Sequence, residues 1–146
     1  MMRFRSVLLA SVLSSCVLAS QAQTIDVIVA STNPVARMDM MSVANLFLDK
    51  ISVFPSGQNA ITLDNERFIS VFYQYIAHKN DQQIHAYWSK LVFTSSGQPP
   101  QHVPDTQVVD LIAHNPNMIS YVRHQNHYPD GVKVVYQLQV PDSVRL

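Results

Sequence analysis

The chain has 146 residues, 47% hydrophobic and 14% charged, with only three glycines. At roughly 100–200 residues per domain this is a single domain, which excludes a multidomain enzyme. Lys plus Arg and Asp plus Glu are ten each, so there is no basic field to hold nucleic acid or anionic lipid; few charges and ample aliphatics specify a packed core rather than disorder.

Residues 1–22 read as a secretory signal. Arg3 and Arg5 form a positive start, Val7 to Ala19 is apolar, and Ser20-Gln21-Ala22 offers small residues before polar Gln23. The apolar run is shorter than the ~20 residues a membrane span needs. Cleavage after Ala22 leaves an exported domain over 23–146, with two more acidic than basic residues. Leu13-Ser14-Ser15-Cys16 also resembles a lipobox, so a lipid anchor on Cys16 is the alternative to free export into the periplasm. One cysteine makes neither an internal disulfide nor a cysteine metal site.

Along the exported part, Thr24 to Ala30 is almost continuously β-branched and apolar, the pattern of a strand buried on both faces of a parallel sheet. Asn33-Pro34 ends it. Asp39 or Ser42 caps a helix with Val43, Leu46 and Phe47 on one face. Pro55-Ser56-Gly57 is a turn, and Asn59 to Leu63 a short strand. Phe68, Val71, Phe72 and Tyr75 form an apolar stripe at helical spacing. Asn80-Asp81 caps a second such helix bearing Ile84, Tyr87, Trp88 and Leu91, so a helical hairpin packed on the sheet is expected, its aromatics serving as core.

Thr94 to Pro104 reads as a long loop, and Asp105 or Thr106 starts a helix with Val108, Leu111 and Ile112 that ends near Asn115-Pro116. Met118 to Val122 is a short strand. Val132, Val134, Tyr136, Leu138 and Val140 alternate with polar residues as a half-buried edge strand. Strands alternating with helices make an α/β domain.

Chemistry is sparsely signalled. Of six histidines only His124-x-x-His127 is closely spaced, and zinc needs three or four convergent ligands, so the histidines read as solvated and no metal is expected. The sequence has no Gly-x-Ser-x-Gly elbow and no phosphate or dinucleotide loop, since Gly57, Gly97 and Gly131 lie far apart. Nine Asp and the single Glu66 are scattered among turns and helix starts. The chain therefore reads as non-catalytic, with no cofactor. Helix termini remain as anion sites: Asp64-Asn65-Glu66-Arg67 before the first aromatic helix and Thr94-Ser95-Ser96-Gly97 after the second.

Several segments carry a resemblance. Ile25 to Val29 with Asn33-Pro34, Leu46 to Lys50 ahead of Phe54-Pro55-Ser56-Gly57, Ala86 to Thr94 followed by Gly97-Gln98-Pro99-Pro100, Asn115 to Val122, and Lys133-Val134-Val135 are together similar to the phosphate-binding proteins of ABC transporters. The Tyr87-Trp88 to Pro100 block is the most specific part. The resemblance implies a reduced type 2 periplasmic-binding-protein fold: an α/β domain with a mostly parallel sheet flanked by helices. It further implies a small, phosphate-like anion held by Ser31, Thr32, Asn65, Arg67, Thr94, Ser95 and Ser96, and a transporter permease or envelope complex as partner. The chain departs from the family at Asn65-Glu66-Arg67, where small hydroxyl residues belong, at Asn117 and Ser120 in place of glycines, and at Phe54 in place of Trp. Glu66 at a helix start repels an oxyanion. An envelope interaction module that kept the fold and lost the ligand is the competing expectation.

Overall fold

The computed structural model describes residues 23–146, so the signal expected over 1–22 and the alternative lipid anchor at Cys16 lie outside the described residues. Five strands and four helices follow in the order β1 (Gln23–Ala30), α1 (Met40–Phe47), β2 (Ile61–Asn65), α2 (Ile69–Ile76), α3 (Asp81–Phe93), β3 (Gln101–Val103), α4 (Asp105–His114), β4 (Met118–Arg123) and β5 (Val132–Val140). The strands form one sheet in the order β3-β2-β4-β1-β5. It is mixed: β3–β2 and β2–β4 are parallel, while β4–β1 and β1–β5 are antiparallel. The expectation of a mostly parallel sheet is corrected at β1, which runs against both neighbours. A nearly continuous apolar run reports burial on both faces, and an antiparallel strand in mid-sheet satisfies that as well as a parallel one.

Alternation along β1 builds two core layers. Ile25, Val27 and Val29 join Phe47, Phe72, Tyr73 and Tyr121 on the side of α1 and α2. Ile28 joins Leu63, Val108 and Ile112 under α4 on the other. At the centre of the first layer Phe72 stacks on Tyr121 with centroids 3.6 Å apart, and Phe47 meets both edge-on at 4.8 and 5.4 Å. These geometries favour aromatic pairs.

Local signals account for most element boundaries. Asp39 caps α1 by accepting from the Ser42 N–H at 2.8 Å. Asn80 and Gln83 close a reciprocal capping box on α3, at 2.9 and 3.0 Å. Helices α1, α2 and α3 are each followed by a residue other than glycine in the left-handed region, Asp49, His78 and Ser95, where helices usually place glycine.

Three expectations shift. The buried face of α2 is Phe72, Tyr73 and Ile76, with Val71 and Tyr75 half-buried at its margins. Helix α3 buries only Ile84, while Tyr87, Trp88 and Leu91 are half-covered, so α2 and α3 do not form the evenly buried pair expected of a helical hairpin. Gln101 to Val103, read as loop, is the edge strand β3, in parallel register with Leu63 to Asn65. In β5, a bulge opposite Val27/Ile28 breaks the alternation. Val135, Leu138 and Val140 are buried, and Val132 and Val134 turn toward the α4 side.

Candidate functional site

Strand β2 connects outward to β3, while the chain leaving β4 passes to the opposite side of the sheet to form β5. The crevice where connections diverge, at the carboxyl ends of β2 and β4, is where open α/β sheets take ligands. Asn65 ends β2 there, fully buried. Its Nδ2 donates to Asp105 Oδ1 at 2.7 Å and to the Tyr121 carbonyl at 3.0 Å, and its Oδ1 accepts from the Arg67 N–H at 3.1 Å. The exposed Arg67 guanidinium lies 3.8 Å from Asp105 Oδ2 and 5.5 Å from the Phe68 ring centroid. Neither α2 nor α4 has a side chain capping its first turn, so both helix starts bring free N–H groups to this edge. The carboxylate of Asp105 is the negative charge already present.

The other anticipated anion contacts sit elsewhere. Ser31 and Thr32 are exposed and follow β1, beside the starts of β2 and β4: Val29 pairs with Ile119, which also pairs with Thr62. They are separated from Asn65 by the length of β2, about 13 Å at ~3.3 Å per residue. Thr94, Ser95 and Ser96 wrap the carboxyl end of α3. The Thr94 hydroxyl donates to the Lys90 carbonyl at 2.9 Å, and the Ser95 and Ser96 N–H groups bond to Val92 and Leu91. That end of a helix carries the negative pole, so it disfavours an anion. Ser95 and Ser96 line a groove of about 750 Å³ whose charged member is the carboxylate Asp49. Of the seven residues, only Asn65 and Arg67 lie at the crevice between β2 and β4.

Sequence reasoning missed two buried carboxyl clusters. Asp64, next to Asn65, points to the opposite face of the sheet. Its side chain is 2% exposed. The Tyr121 hydroxyl donates to Oδ1 at 3.0 Å, and the Tyr73 hydroxyl lies 3.1 to 3.2 Å from both carboxyl oxygens and 3.2 Å from the Phe47 carbonyl. Burial pushes the Asp64 carboxyl up to about 7, against the lowering effect of the two tyrosine hydrogen bonds. Tyr73 has one proton for two acceptors. With Asp64 neutral, its own O–H donates to Tyr73, Tyr73 donates to Phe47, and each group is satisfied. Ionised, Asp64 competes with Phe47 for that proton.

Asp64 also lines a cavity of about 400 Å³ left by the thin seating of α3. Ile69, Ile84, Trp88, Val92 and Pro99 make its walls, and His85 and His102 its polar rim. The sequence offered no signal of this burial, since Asp64 follows Leu63 into the polar Asp64-Asn65-Glu66-Arg67 stretch.

The second cluster centres on Asp26, fully buried in β1. It accepts from His124 Nδ1 at 2.7 Å, the Tyr128 hydroxyl at 2.6 Å and Gln137 Nε2 at 3.1 Å. Burial raises the Tyr128 hydroxyl above its ordinary value, and the bond to Asp26 adds to this. These bonds tie the 124–131 loop to the sheet. His124 thus serves Asp26; among the described residues no three His, Cys, Asp or Glu converge as metal ligands. No helix of the described residues is long and apolar enough to cross a membrane.

No protein-family model matches the chain, and no curated protein matches it. Solved structures do. A candidate phosphate ABC transporter substrate-binding protein from Clostridium perfringens, solved with bound phosphate, superposes with a TM-score of 0.59 at 16% identity, over 80% of this chain and 45% of that one. An ABC-type phosphate transport receptor from Vibrio cholerae gives 0.58 at 15% identity, over 77% and 45%. The chain thus spans about half the length of these proteins. At such identities the likeness fixes architecture: the chain has the α/β fold of about half of a phosphate-type ABC transporter substrate-binding protein.

Proposed function

We propose that the chain is an extracytoplasmic, non-catalytic binding module that seats a small, phosphate-like anion at Arg67 in the service of an ABC transport system. The observation carrying this reading is the convergence of Arg67, Asn65 and the side-chain-free starts of α2 and α4 at the crevice between β2 and β4. Phosphate in the Clostridium perfringens structure supports the ligand class, and the solute-receptor fold supports export to the periplasm and a permease partner. Asp105 holds Arg67, so an anion binds by displacing that carboxylate and its affinity is weak, on the order of millimolar.

The test is thermal unfolding against phosphate, sulfate and acetate. At ~100 times its dissociation constant a ligand stabilises by about 2.7 kcal/mol. A saturable shift is expected, lost in Arg67→Ala and reached at lower concentration in Asp105→Asn. A flat response in both the native protein and Asp105→Asn overturns the reading.

The presence of Asp105 at the seat also favours a second reading, an envelope interaction module in which the chain's own carboxylate has replaced the ligand. Exposed Ile51, Val53, Ile61, Val92 and Phe93 supply apolar surface for it. A photo-crosslinker at position 93, which is 90% exposed, is then expected to form a discrete protein adduct in intact cells that one at exposed Asp110 does not.

A further inference from the structure

A buried carboxylate calls for a matching cation or a full set of donors. Once ionised, Asp64 has neither from within the described residues. An ionised carboxylate offers about four acceptor sites. Tyr121 and Tyr73 bring two protons, one of them shared with the Phe47 carbonyl. Among the described residues the only basic group within 4.0 Å is His102 Nε2, at 3.9 Å, on a ring 57% exposed. This under-supplied carboxylate lies in the lining of a cavity of about 400 Å³ that is otherwise mostly aliphatic and aromatic. Pockets of roughly 300–1,000 Å³ with an apolar lining and few polar groups are the usual small-molecule sites.

We propose that this cavity binds a small organic cation, an apolar or aromatic body carrying one protonated amine, with the ammonium on Asp64 and the body against Trp88. An anion is refused by the carboxylate. A neutral apolar molecule fills the walls and leaves the ionised Asp64 unmatched. The cation meets both, its charge on Asp64 and its body on the aromatic and aliphatic walls. The site is independent of the Arg67 seat, because consecutive residues of β2 face opposite sides of the sheet: Asp64 faces α2 and α3, and Asn65 faces α4. Loss of anion binding and loss of amine binding are therefore separable.

Trp88 is the only tryptophan in the sequence, so fluorescence excited selectively at tryptophan, beyond the tyrosine absorption, reports on this cavity. The experiment titrates the purified protein at about pH 8 with benzylamine, benzyl alcohol and benzoate, which share a ring and differ in charge. A saturable response to benzylamine is expected, at least about tenfold weaker for benzyl alcohol and absent for benzoate, tenfold being ~1.4 kcal/mol. Asp64→Asn brings benzylamine down to the level of benzyl alcohol. Ser89→Phe, placed from an exposed lining position without touching the buried hydrogen bonds, blocks benzylamine as well, and this variant keeps the site testable if Asp64→Asn does not fold.

A pH arm reads the carboxylate directly. The titratable groups facing Asp64 and its cavity are Tyr73 of α2, Tyr121 of β4, His102 of β3 and His85 of α3. With the carboxyl titrating at about 7, benzylamine affinity is expected to fall about tenfold from pH 8 to pH 6. His102→Gln and His85→Gln keep that fall. Equal affinity for benzylamine and benzyl alcohol, an unaffected Ser89→Phe variant, or no saturable response to any of the three probes overturns the proposal.

Discussion

Asp64 makes stability depend on pH in a direction opposite to that of most acidic residues. Its carboxyl rises from an ordinary 3.8 to about 7 through burial. Below about pH 4 the acid is protonated in both folded and unfolded chains, and the buried Asp64–Tyr73–Phe47 relay is complete. Between about 4 and 7 the unfolded chain releases the proton and the folded one keeps it, so stability falls by about 1.4 kcal/mol per pH unit. Above 7 the loss levels off at about 4 kcal/mol. Asp64→Asn keeps the shape and imitates the neutral acid: its Nδ2 donates to Tyr73 and its Oδ1 accepts from Tyr121. Urea unfolding of both proteins, taken at about pH 4.5 and about pH 8, is the assay, because the contributions of all other groups cancel in the difference. The Asn variant is expected to gain about 3 kcal/mol on the native protein between those two points. A difference constant within about 0.5 kcal/mol refutes the relay and the burial argument behind it.

The remaining predictions concern packing, capping and the second carboxyl cluster. Phe72→Ala removes the ring stacked on Tyr121 at 3.6 Å and is expected to cost about 3–5 kcal/mol in urea unfolding. Asn80→Ala opens the capping box of α3, lowering stability by about 1 kcal/mol. Because α3 is thinly seated, the loss should appear first as faster amide exchange over residues 81–93. Ser95→Gly relieves a side chain held at φ +54° and should raise the melting temperature, a gain of about 0.5–1 kcal/mol. Asp26→Ala strips the shared acceptor from His124, Tyr128 and Gln137. A loss of about 3–5 kcal/mol, with faster amide exchange in the 124–131 loop, is expected.

Much of the fold is local and was therefore legible. Asp39 and Asn80 announce their helices because a cap is a contact across three residues. The apolar run from Ile25 to Ala30 announces a strand covered on both sides, because burial is written in composition. Strand direction, the three-residue β3 and the bulge opposite Val27/Ile28 were not legible. Each depends on which segment lies alongside, and partners 38 residues apart across β2–β3 or 102 to 117 apart across β1–β5 leave no period in the chain. The same division governs the sites. Arg67 and Asn65 are neighbours in sequence, and local chain geometry alone keeps them side by side. Ser31, Thr32 and the Thr94–Ser96 turn carry suitable hydroxyls, but the sheet puts Ser31 and Thr32 a strand length from Asn65, and the helix puts Thr94–Ser96 at its negative end. Asp64 reads as part of a polar helix start and Asp26 as one aspartate in an apolar strand. Only the tertiary structure surrounded the one with Tyr73, Tyr121 and a cavity, and the other with His124, Tyr128 and Gln137. A side chain's own chemistry is fixed by the sequence, whereas the dielectric and the partners that set its charge are supplied by distant segments folding against it.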